Sequence, residues 1–486
     1  MSDSTDQADG AAVSAEAPQD VTLERALRLP QVLMQSIGVM APAASVVFTV
    51  QLLAVYAGIA VPSALLIALV IMAALAYTLA QIAKYLPSAG GYYTFVRTAI
   101  GPGAGLAVAS IVLIYLLTPS MNAAYLSTVL QAQIKSSYGV NIAWPIFFLL
   151  IILLTGWLAY RGVSLSGRAL VILGGLEIAV LLVIGISGFV SPGPGGVSIQ
   201  ALNPAKAGSG IYLAIVFAMF FFAGWEAAAP IAEESANPVR TIPRALVGSV
   251  LGIGVVFIIC CWGLLVGWGT DGVKGFASST SLAPVVLAHH YWGAAWVIML
   301  LALFNSVCAI ALASTLVCTR MVYAMARIGV LPRWFAQLHP KHRTPSRATL
   351  AAIAFSLVFG LVMAGTVGAV NSYYIYGLAF TLLIVIVYVA GNVAVTRYFL
   401  RTQRQNFSVF AHVVLPAATS AAVLYIGYRS VVPFPAYPVA AGVWVAAGWV
   451  VVAVVLGLIA RRRGTAEVDL TDAAAIDDVP RQGQMR

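Results

Sequence analysis

The sequence predicts an all-α membrane protein with twelve transmembrane helices, and three observations lead to this prediction. Of its 486 residues, 61% are hydrophobic and 9% are charged, whereas soluble domains are about a quarter charged. Apolar stretches of roughly the 20 residues that a helix needs to cross a bilayer recur along the whole chain. The basic residues lie between these stretches in an asymmetric pattern. This composition excludes a soluble enzyme, a nucleic-acid-binding protein and a disordered scaffold.

Twelve apolar stretches are long enough to cross the membrane. Numbered 1 to 12 in chain order, the predicted spans are 32–56, 60–83, 103–131, 144–160, 169–190, 211–231, 245–268, 294–319, 348–366, 372–396, 409–429 and 438–460. If the spans alternate from an inner start, 22 of the 26 Lys and Arg residues fall on the inner side. An excess of basic residues on the cytoplasmic side is typical of membrane proteins. We therefore expect a multi-pass protein of the cell (inner) membrane with both termini in the cytoplasm.

Two of the spans contain residues that interrupt a helix. Span 1 carries Gly38 and Pro42 within SIGVMAPAAS, and span 6 carries Gly224 and Pro230 within FFFAGWEAAAP. Lipid offers no partner for backbone groups that such a break sets free, so the break must face protein or a cavity. Counting from the likely helix starts at 1.5 Å per residue places both breaks about 12–20 Å deep, near the middle of the bilayer.

The two interrupted spans occupy corresponding places in two runs of five. Spans 1 to 5 form repeat one, about 32–190, and spans 6 to 10 form repeat two, about 211–396. Because five is odd, the second run crosses the membrane in the opposite sense, which gives an inverted 5+5 repeat. Broken helices at matching positions of inverted repeats indicate the binding site of a transporter.

The chemistry of a helix break indicates which ligand it suits. The half-helices that start after Pro42 and near Trp225 present N–H groups, which suit a carboxylate. The ends of the preceding half-helices present carbonyl groups, which suit an ammonium group or a metal cation. A zwitterionic amino acid fits both. The substrate-binding residues predicted from the two breaks are Gly38, Val39, Ala41, Ala43, Ala44, Ser45, Phe222, Ala223, Gly224 and Trp225.

Several motifs resemble those of a known transporter family. The stretch 217–246, FAMFFFAGWEAAAPIAEESANPVRTIPRAL, is similar to the sixth-helix signature of the amino acid, polyamine and organocation (APC) superfamily. Further matches follow spans 2, 4 and 8, as PSAGGYY, RGVSLSGR and RMVYAMARIGVLP. The resemblance implies the leucine-transporter fold, with spans 11 and 12 (about 409–460) as two accessory helices. It also implies secondary active transport of amino acids or amines by alternating access. One departure is the small-residue G-x-G type motif of span 1, which reads GVMAPAAS here.

The transmembrane domain is predicted to cover 23–463, between two polar tails. The tails, 1–22 and 464–486, contain too few apolar residues to form a packed core, so we expect them to be disordered and cytoplasmic. Segment 23–31 is interpreted either as a short interfacial helix or as a plain linker.

Only two acidic residues are predicted within the membrane, Glu177 in span 5 and Glu226 in span 6. A charge at the bilayer centre costs about 3 kcal/mol or more, so each carboxyl group needs a partner or a proton. Low dielectric favours a protonated carboxyl group, which makes Glu177 a candidate proton carrier and leads to a hypothesis of proton-coupled symport. The alternative is a structural glutamate that is hydrogen-bonded to a neighbouring helix. Glu226 either contributes to coupling and attracts a substrate amine, or satisfies backbone donors freed by the break.

Other residues give predictions about ion coupling, the inner gate and the outer surface. Ser314 and Thr315 could bind sodium with span-1 carbonyl groups, although such hydroxyl groups usually bond to their own helix. Glu233, Glu234 and Arg240 are candidates for an inner gate, with Arg244, Arg327 and Arg333 nearby. Tyr373, Tyr374 and Tyr376 at the outer end of span 10 are predicted to belong to an interfacial aromatic belt.

Some functional alternatives stay open at the level of the sequence. Within transport these are amino acid/amine exchange and polyamine import; outside it, an ion channel, although a channel needs a continuous polar pore lining. The spans contain no clustered catalytic or metal-ligating set, so we predict no enzymatic activity, cofactor or metal. The expected partners are a small amino acid or amine, a proton or possible sodium ion in its place, and membrane lipid.

Overall fold

The computed structural model describes residues 27–327 and 329–462. The predicted tails, 1–22 and 464–486, lie outside the described residues, as do residues 23–26 of the predicted linker or interfacial helix. Leu29 already belongs to the first helix. Within the described ranges the chain is helical, and its one β pairing is an isolated bridge between Leu27 and Ser235.

Seventeen α-helices make up the described part of the chain. In order, α1 to α17 are Leu29–Met40, Pro42–Ala57, Val61–Ala83, Tyr92–Ala99, Pro102–Val112, Thr118–Tyr138, Trp144–Arg161, Val163–Val190, Ile211–Phe221, Pro238–Trp268, Val273–Ser278, Ala283–Trp292, Val297–Arg327, Ser346–Thr366, Ala369–Arg401, Leu415–Val431 and Val439–Arg462. Tighter 3₁₀ turns lie between or within spans at Gly58–Ala60, Leu113–Leu117, Ile199–Leu202, Pro204–Gly210, Trp225–Glu234, Thr270–Gly272, Gly293–Trp296, Arg333–Ala336 and Arg404–Asn406, and a π-helical turn at Phe410–Val414 precedes α16.

The helices reproduce the twelve predicted spans. Among the described residues, eleven segments are long and apolar enough to cross a membrane. The first, Leu29–Ala83, contains 55 residues, or about 80 Å of helix, which is enough for two crossings of a 30 Å hydrocarbon core. The predicted fold class, an all-α membrane protein, is confirmed.

The packing of the spans is consistent with two related halves. The two repeats can be compared by exchanging each span of repeat one with its counterpart in repeat two, 1 with 6 and so on. Pairs of spans that are in contact then correspond to other pairs that are also in contact. Span 1 packs on span 5 and span 6 on span 10; span 3 packs on span 9 and span 8 on span 4; spans 2 and 7 pack on each other. The site predicted from spans 1 and 6 is therefore surrounded by equivalent helices from both repeats.

The outer surface of the helix bundle is apolar. Large aliphatic side chains are exposed on spans 4, 9 and 12, among them Leu150, Leu153, Val358, Val451 and Val452. In water such a surface would be unfavourable, whereas lipid tails solvate it without cost. The polar side chains that carry the site are buried inside the bundle.

Candidate functional site

Span 1 is broken between Met40 and Pro42. Pro42 has no N–H group, so the carbonyl group of Gly38 loses the donor that a continuous helix would supply. Ala41 adopts a left-handed conformation, with φ 44° and ψ 71°, which is uncommon for a residue with a Cβ atom. Its N–H group still donates to Ile37 O at 3.0 Å. The first half-helix, α1, thus ends at Met40, and the second half-helix, α2, starts at Pro42.

Span 6 is broken in the matching place. Helix α9 ends at Phe221, and Gly224 has φ 108°, a conformation that glycine adopts without a steric penalty. A 3₁₀ segment, Trp225–Glu234, follows. A Cβ atom added to Gly224 would lie 2.6 Å from Val39 Cβ. The two breaks therefore meet in direct backbone-to-side-chain contact.

Hydrogen bonds tie the inner halves of spans 1 and 6 together. The Ser36 hydroxyl group donates to Trp225 O at 2.6 Å and accepts from the Ala228 N–H group at 3.1 Å. Near the inner end, Leu27 N–H donates to Glu234 O at 3.0 Å. Ser36 and the Leu27 bridge thus join the same two segments at two separate points.

The start of half-helix α2 is bound by side chains of spans 5 and 8. Ala43 N–H donates to Glu177 Oε1 at 2.6 Å, and Ala44 N–H donates to Ser306 Oγ at 3.0 Å. Asn305 Nδ2 donates to Glu177 Oε2 at 3.0 Å. The sequence placed a substrate carboxylate at Ala43 and Ala44, whereas the described structure places the protein's own Glu177 and Ser306 there.

Glu226 lies in the break of span 6, where two tyrosines hold it. Tyr115 Oη donates to Glu226 Oε1 at 2.6 Å, and Tyr388 Oη donates to Oε2 at 3.4 Å. The Trp225 indole N–H group donates to Tyr388 Oη at 2.9 Å. The carboxylate thus connects spans 3, 6 and 10, and Trp225 is part of this buried network.

Tyr115 reaches Glu226 because span 3 is also interrupted, a feature that the sequence analysis missed. Residues Leu113–Leu117 form a 3₁₀ turn before α6. Pro119 is the second residue of α6. Because proline has no N–H group, it cannot donate to the carbonyl group of Tyr115, four residues earlier. In the sequence, Pro119 in the middle of an apolar stretch could have indicated this interruption.

A small cavity lies beside the two breaks. Three of the predicted residues, Val39, Ser45 and Ala223, line the cavity. The other lining residues were not predicted as site residues and come from spans 1, 3, 6, 8 and 10: Met40, Tyr115, Thr118, Asn122, Phe220, Ile310, Tyr373, Tyr376 and Phe380.

Phe222 and Trp225, which were predicted as substrate-binding residues, are not among the residues that line the cavity. Phe222 is fully buried and packs edge-on against Phe257 of span 7, with ring centroids 5.5 Å apart. Span 6 faces the cavity with Phe220 and Ala223 instead.

The prediction that Tyr373 and Tyr376 belong to an interfacial belt is wrong. Their exposed fractions are 2% and 5%, and both line the cavity. The Tyr376 hydroxyl group bonds to Thr118 Oγ1, and the Tyr373 hydroxyl group lies 3.3 Å from Thr49 Oγ1. Span 10 starts as early as Ala369, which moves these residues deeper than the sequence suggested.

The candidate sodium ligands bond within their own helix. Thr315 Oγ1 donates to Ala311 O at 2.6 Å, and the Ser314 hydroxyl group donates to Ile310 O. Both carbonyl groups lie one turn earlier in span 8, which is the usual partner for a hydroxyl group in a membrane helix. Among the described residues, no group of three or more His, Cys, Asp or Glu side chains could hold a metal ion.

The inner ends of spans 6 and 8 carry two ion pairs. Glu234 accepts from Arg320 Nε at 2.6 Å and from Nη2 at 3.3 Å, and both side chains are almost fully buried. Glu233 pairs with Arg327 at 3.3 Å and accepts from the Ala89 N–H group at 2.9 Å.

The predicted gate residue Arg240 is exposed and joins neither pair in the described structure. Arg240 lies in the first turn of α10. The cations that pair with the two glutamates, Arg320 and Arg327, come from span 8.

Comparison with known proteins identifies the family. The sequence matches the amino acid permease family over residues 31–468. The low-affinity putrescine importer PlaP of Escherichia coli (strain K12) is 27% identical over 315 residues, which are 63% of this chain and 68% of that protein. The branched-chain amino acid permease BcaP of Bacillus subtilis is 27% identical over 315 residues, 59% of this chain and 65% of that protein.

A third relative gives a similar match. The vacuolar cationic amino acid transporter 4 of Arabidopsis thaliana is 28% identical over 309 residues, which are 58% of this chain and 49% of that protein. The chain thus spans between about half and two thirds of these relatives. The family match covers nearly the whole chain and confirms the resemblance to the APC superfamily. The chain belongs to the amino acid permease family.

Proposed function

We propose that the protein is a secondary active transporter that carries an amino acid or a related amine across the cell membrane by alternating access, in symport with protons. The observation that carries this proposal is the meeting of two broken spans beside a small buried cavity. This arrangement is a general feature of transporter binding sites. The family membership and the relatives named as permeases and an importer support transport as the activity.

The C-terminal end of α1, which lies next to the cavity, supplies the proposed contact for the substrate's amino group. Pro42 cannot donate to the Gly38 carbonyl group, and Ala43 N–H is directed to Glu177 instead of to Val39 O. These two carbonyl groups and the negative end of the half-helix dipole favour an ammonium group. Val39, Ser45 and Ala223 are the proposed contacts from the broken spans, with Tyr115 and Phe220 beside them.

Glu177 is the proposed proton carrier. It is buried, at 2% exposure, and it links span 5 to the start of α2 through Ala43 and to span 8 through Asn305. Protonation would remove the negative charge that attracts the Ala43 N–H group and the half-helix dipole. The hold of spans 5 and 8 on the broken helix would weaken, which is how proton binding would couple to movement of span 1. Glu226, held by two tyrosines, is proposed mainly to stabilise the break of span 6.

The inner ion pairs are the proposed cytoplasmic gate. Glu234–Arg320 and Glu233–Arg327 link span 6 to span 8, and Glu233 also binds the loop after span 2 through Ala89. Opening a path to the cytoplasm would require these contacts to separate. The excess of basic residues on this side supports its assignment to the cytoplasm, together with both termini, in the cell membrane.

The test is uptake into proteoliposomes with and without an inward proton gradient. Wild-type uptake should rise with the gradient, and Glu177→Gln should abolish that rise while thermal unfolding of the purified protein stays unchanged. Asp271→Asn, the same chemical change in an outer loop, is the matched control and should behave as wild type. Full gradient-driven uptake by Glu177→Gln would refute the proton-carrier assignment.

The same preparation separates the alternatives. If uptake collapses when choline replaces sodium at fixed pH, the coupling ion is sodium and not the proton. Uptake that depends strictly on internal substrate would indicate exchange. Polyamine import is a second candidate, since one relative is named a putrescine importer; competition by putrescine tests it.

A further inference from the structure

Both positive half-helix ends at the breaks already carry a glutamate of the protein. A half-helix that starts inside the membrane presents free N–H groups and the positive end of its dipole, and this combination attracts an anion. In a site built for a zwitterion, the substrate's carboxylate would be that anion. Here Glu177 lies at the start of α2, and Glu226 lies at the start of Trp225–Glu234.

At the first break, each early N–H group of α2 has a protein partner. Pro42 has no N–H group. The N–H group of Ala43 donates to Glu177 and that of Ala44 donates to Ser306. The N–H group of Ser45 donates to Ala41 O at 2.8 Å. A substrate carboxylate could bind here only by displacing a buried carboxylate that Asn305 also holds. Displacement would leave two carboxylates competing for one positive end.

At the second break, the N–H groups are similarly engaged. Trp225 N–H donates to Phe222 O, Ala227 N–H to Gly224 O, and Ala228 N–H to the Ser36 hydroxyl group. Glu226 lies in the first turn of this segment. A second negative group at this end would be repelled by Glu226.

The cavity between the breaks suits a positive group. Its lining contains no charged side chain among the described residues, and it includes the rings of Tyr115, Phe220, Tyr373, Tyr376 and Phe380. Faces of aromatic rings attract ammonium groups. The Tyr115 hydroxyl proton is directed to Glu226, so the lone pairs of this oxygen are left to accept from a substrate N–H group.

We infer that the substrate is a small primary amine whose recognition does not use a carboxylate, and that Glu177 excludes amino acids by holding the α2 N–H groups. This inference rests on the proposed function and narrows its substrate class. A carboxylate brought into the cavity would find no free N–H pair and no cationic side chain among the lining residues. Burial of an unpaired carboxylate is strongly unfavourable.

The experiment compares each common amino acid with the amine formed by its decarboxylation. Binding to the purified wild-type protein is measured by thermal shift and then by titration, and uptake is measured in proteoliposomes. We expect the tightest ligand to be an amine, with its parent amino acid binding at least about tenfold more weakly. A parent amino acid that binds as tightly as the best amine, or more tightly, overturns the inference.

Two substitutions test the roles of the glutamates. Glu226→Gln removes the negative charge of the carboxylate that accepts the Tyr115 hydrogen bond. This substitution should weaken amine binding about tenfold. Glu177→Ala frees the Ala43 N–H group and should raise the affinity for the parent amino acid relative to the amine. Asp271→Asn should leave both affinities unchanged. An unaltered amino acid-to-amine ratio in a folded Glu177→Ala protein overturns the role of Glu177; if this variant does not fold, the wild-type comparison decides.

The outcomes separate this inference from the proposed function. If amino acids bind better than amines and are transported, the proposed function stands and the inference fails. If no amino acid or amine is bound or transported, both fail.

Discussion

Replacing Arg320 tests the buried ion pair that joins spans 6 and 8. The side chains of Arg320 and Glu234 are 0% and 3% exposed, and two hydrogen bonds of 2.6 and 3.3 Å join them. Removing one partner of a buried pair leaves an uncompensated charge, which costs about 3–5 kcal/mol. We therefore expect Arg320→Met to reduce the free energy of unfolding by this amount. Glu234→Gln should be similarly destabilising.

The double variant Glu234→Gln/Arg320→Met supplies the decisive measurement. Because it removes both charges together, the double variant should be about as destabilised as one single variant, which corresponds to a coupling energy of about 3 kcal/mol. The assay is reversible unfolding of the four proteins in the same detergent. Arg327→Gln is the matched control: its side chain is 44% exposed, and its pair with Glu233 should contribute less than about 1 kcal/mol.

Additivity would refute the reasoning. If the effects of the two single substitutions sum in the double variant, the buried pair is not an energetic unit, and the distance between its atoms carries no information about the gate. The same conclusion follows if Arg327→Gln is as destabilising as Arg320→Met.

Three further predictions concern the breaks and the cavity. Gly224→Ala should lower the free energy of unfolding by at least about 1–3 kcal/mol, because it forces a Cβ atom into positive φ and against Val39; a thermal unfolding scan that matches wild type would contradict this. Tyr115→Phe should cost about 1–3 kcal/mol by depriving Glu226 of its shorter hydrogen bond, and its unfolding curve is compared with that of Tyr125→Phe. Ser314→Ala should leave uptake unchanged in both sodium and choline media, since its hydroxyl group bonds within span 8; a selective loss in sodium would restore the sodium site.

The sequence predicted the spans and their breaks because these depend on local properties. Apolar length sets the number of crossings, and a proline removes a backbone donor wherever it occurs in a span. Pro42 and Gly224 therefore located the breaks correctly. The same rule applied to Pro119 would have revealed the 3₁₀ turn that brings Tyr115 to Glu226, but a single proline in a third span had no counterpart that drew attention to it.

Partners across the bundle could not be predicted in the same way. Glu177 and Ala43 are 134 residues apart in the chain, and Glu234 and Arg320 are 86 apart. Which side chains meet depends on the rotation of each helix about its axis, and a change of one residue in a break rotates all that follows. For this reason Arg240, close to Glu234 in sequence, was predicted as a gate residue, whereas Arg320 of span 8 was not.

The dipole argument that predicted the substrate illustrates this limit most directly. The start of α2 attracts a carboxylate whatever molecule supplies it, so the sequence could establish the need for an anion without identifying its source. A glutamate on span 5 that reaches the same N–H group satisfies that need within the protein. The electrostatics that favoured a zwitterion then favour a cation, because the positive end is neutralised while the carbonyl groups of Gly38 and Val39 and the charge of Glu226 are retained. The choice between amino acid and amine thus depends on the reach of one side chain, which the Glu177→Ala protein measures.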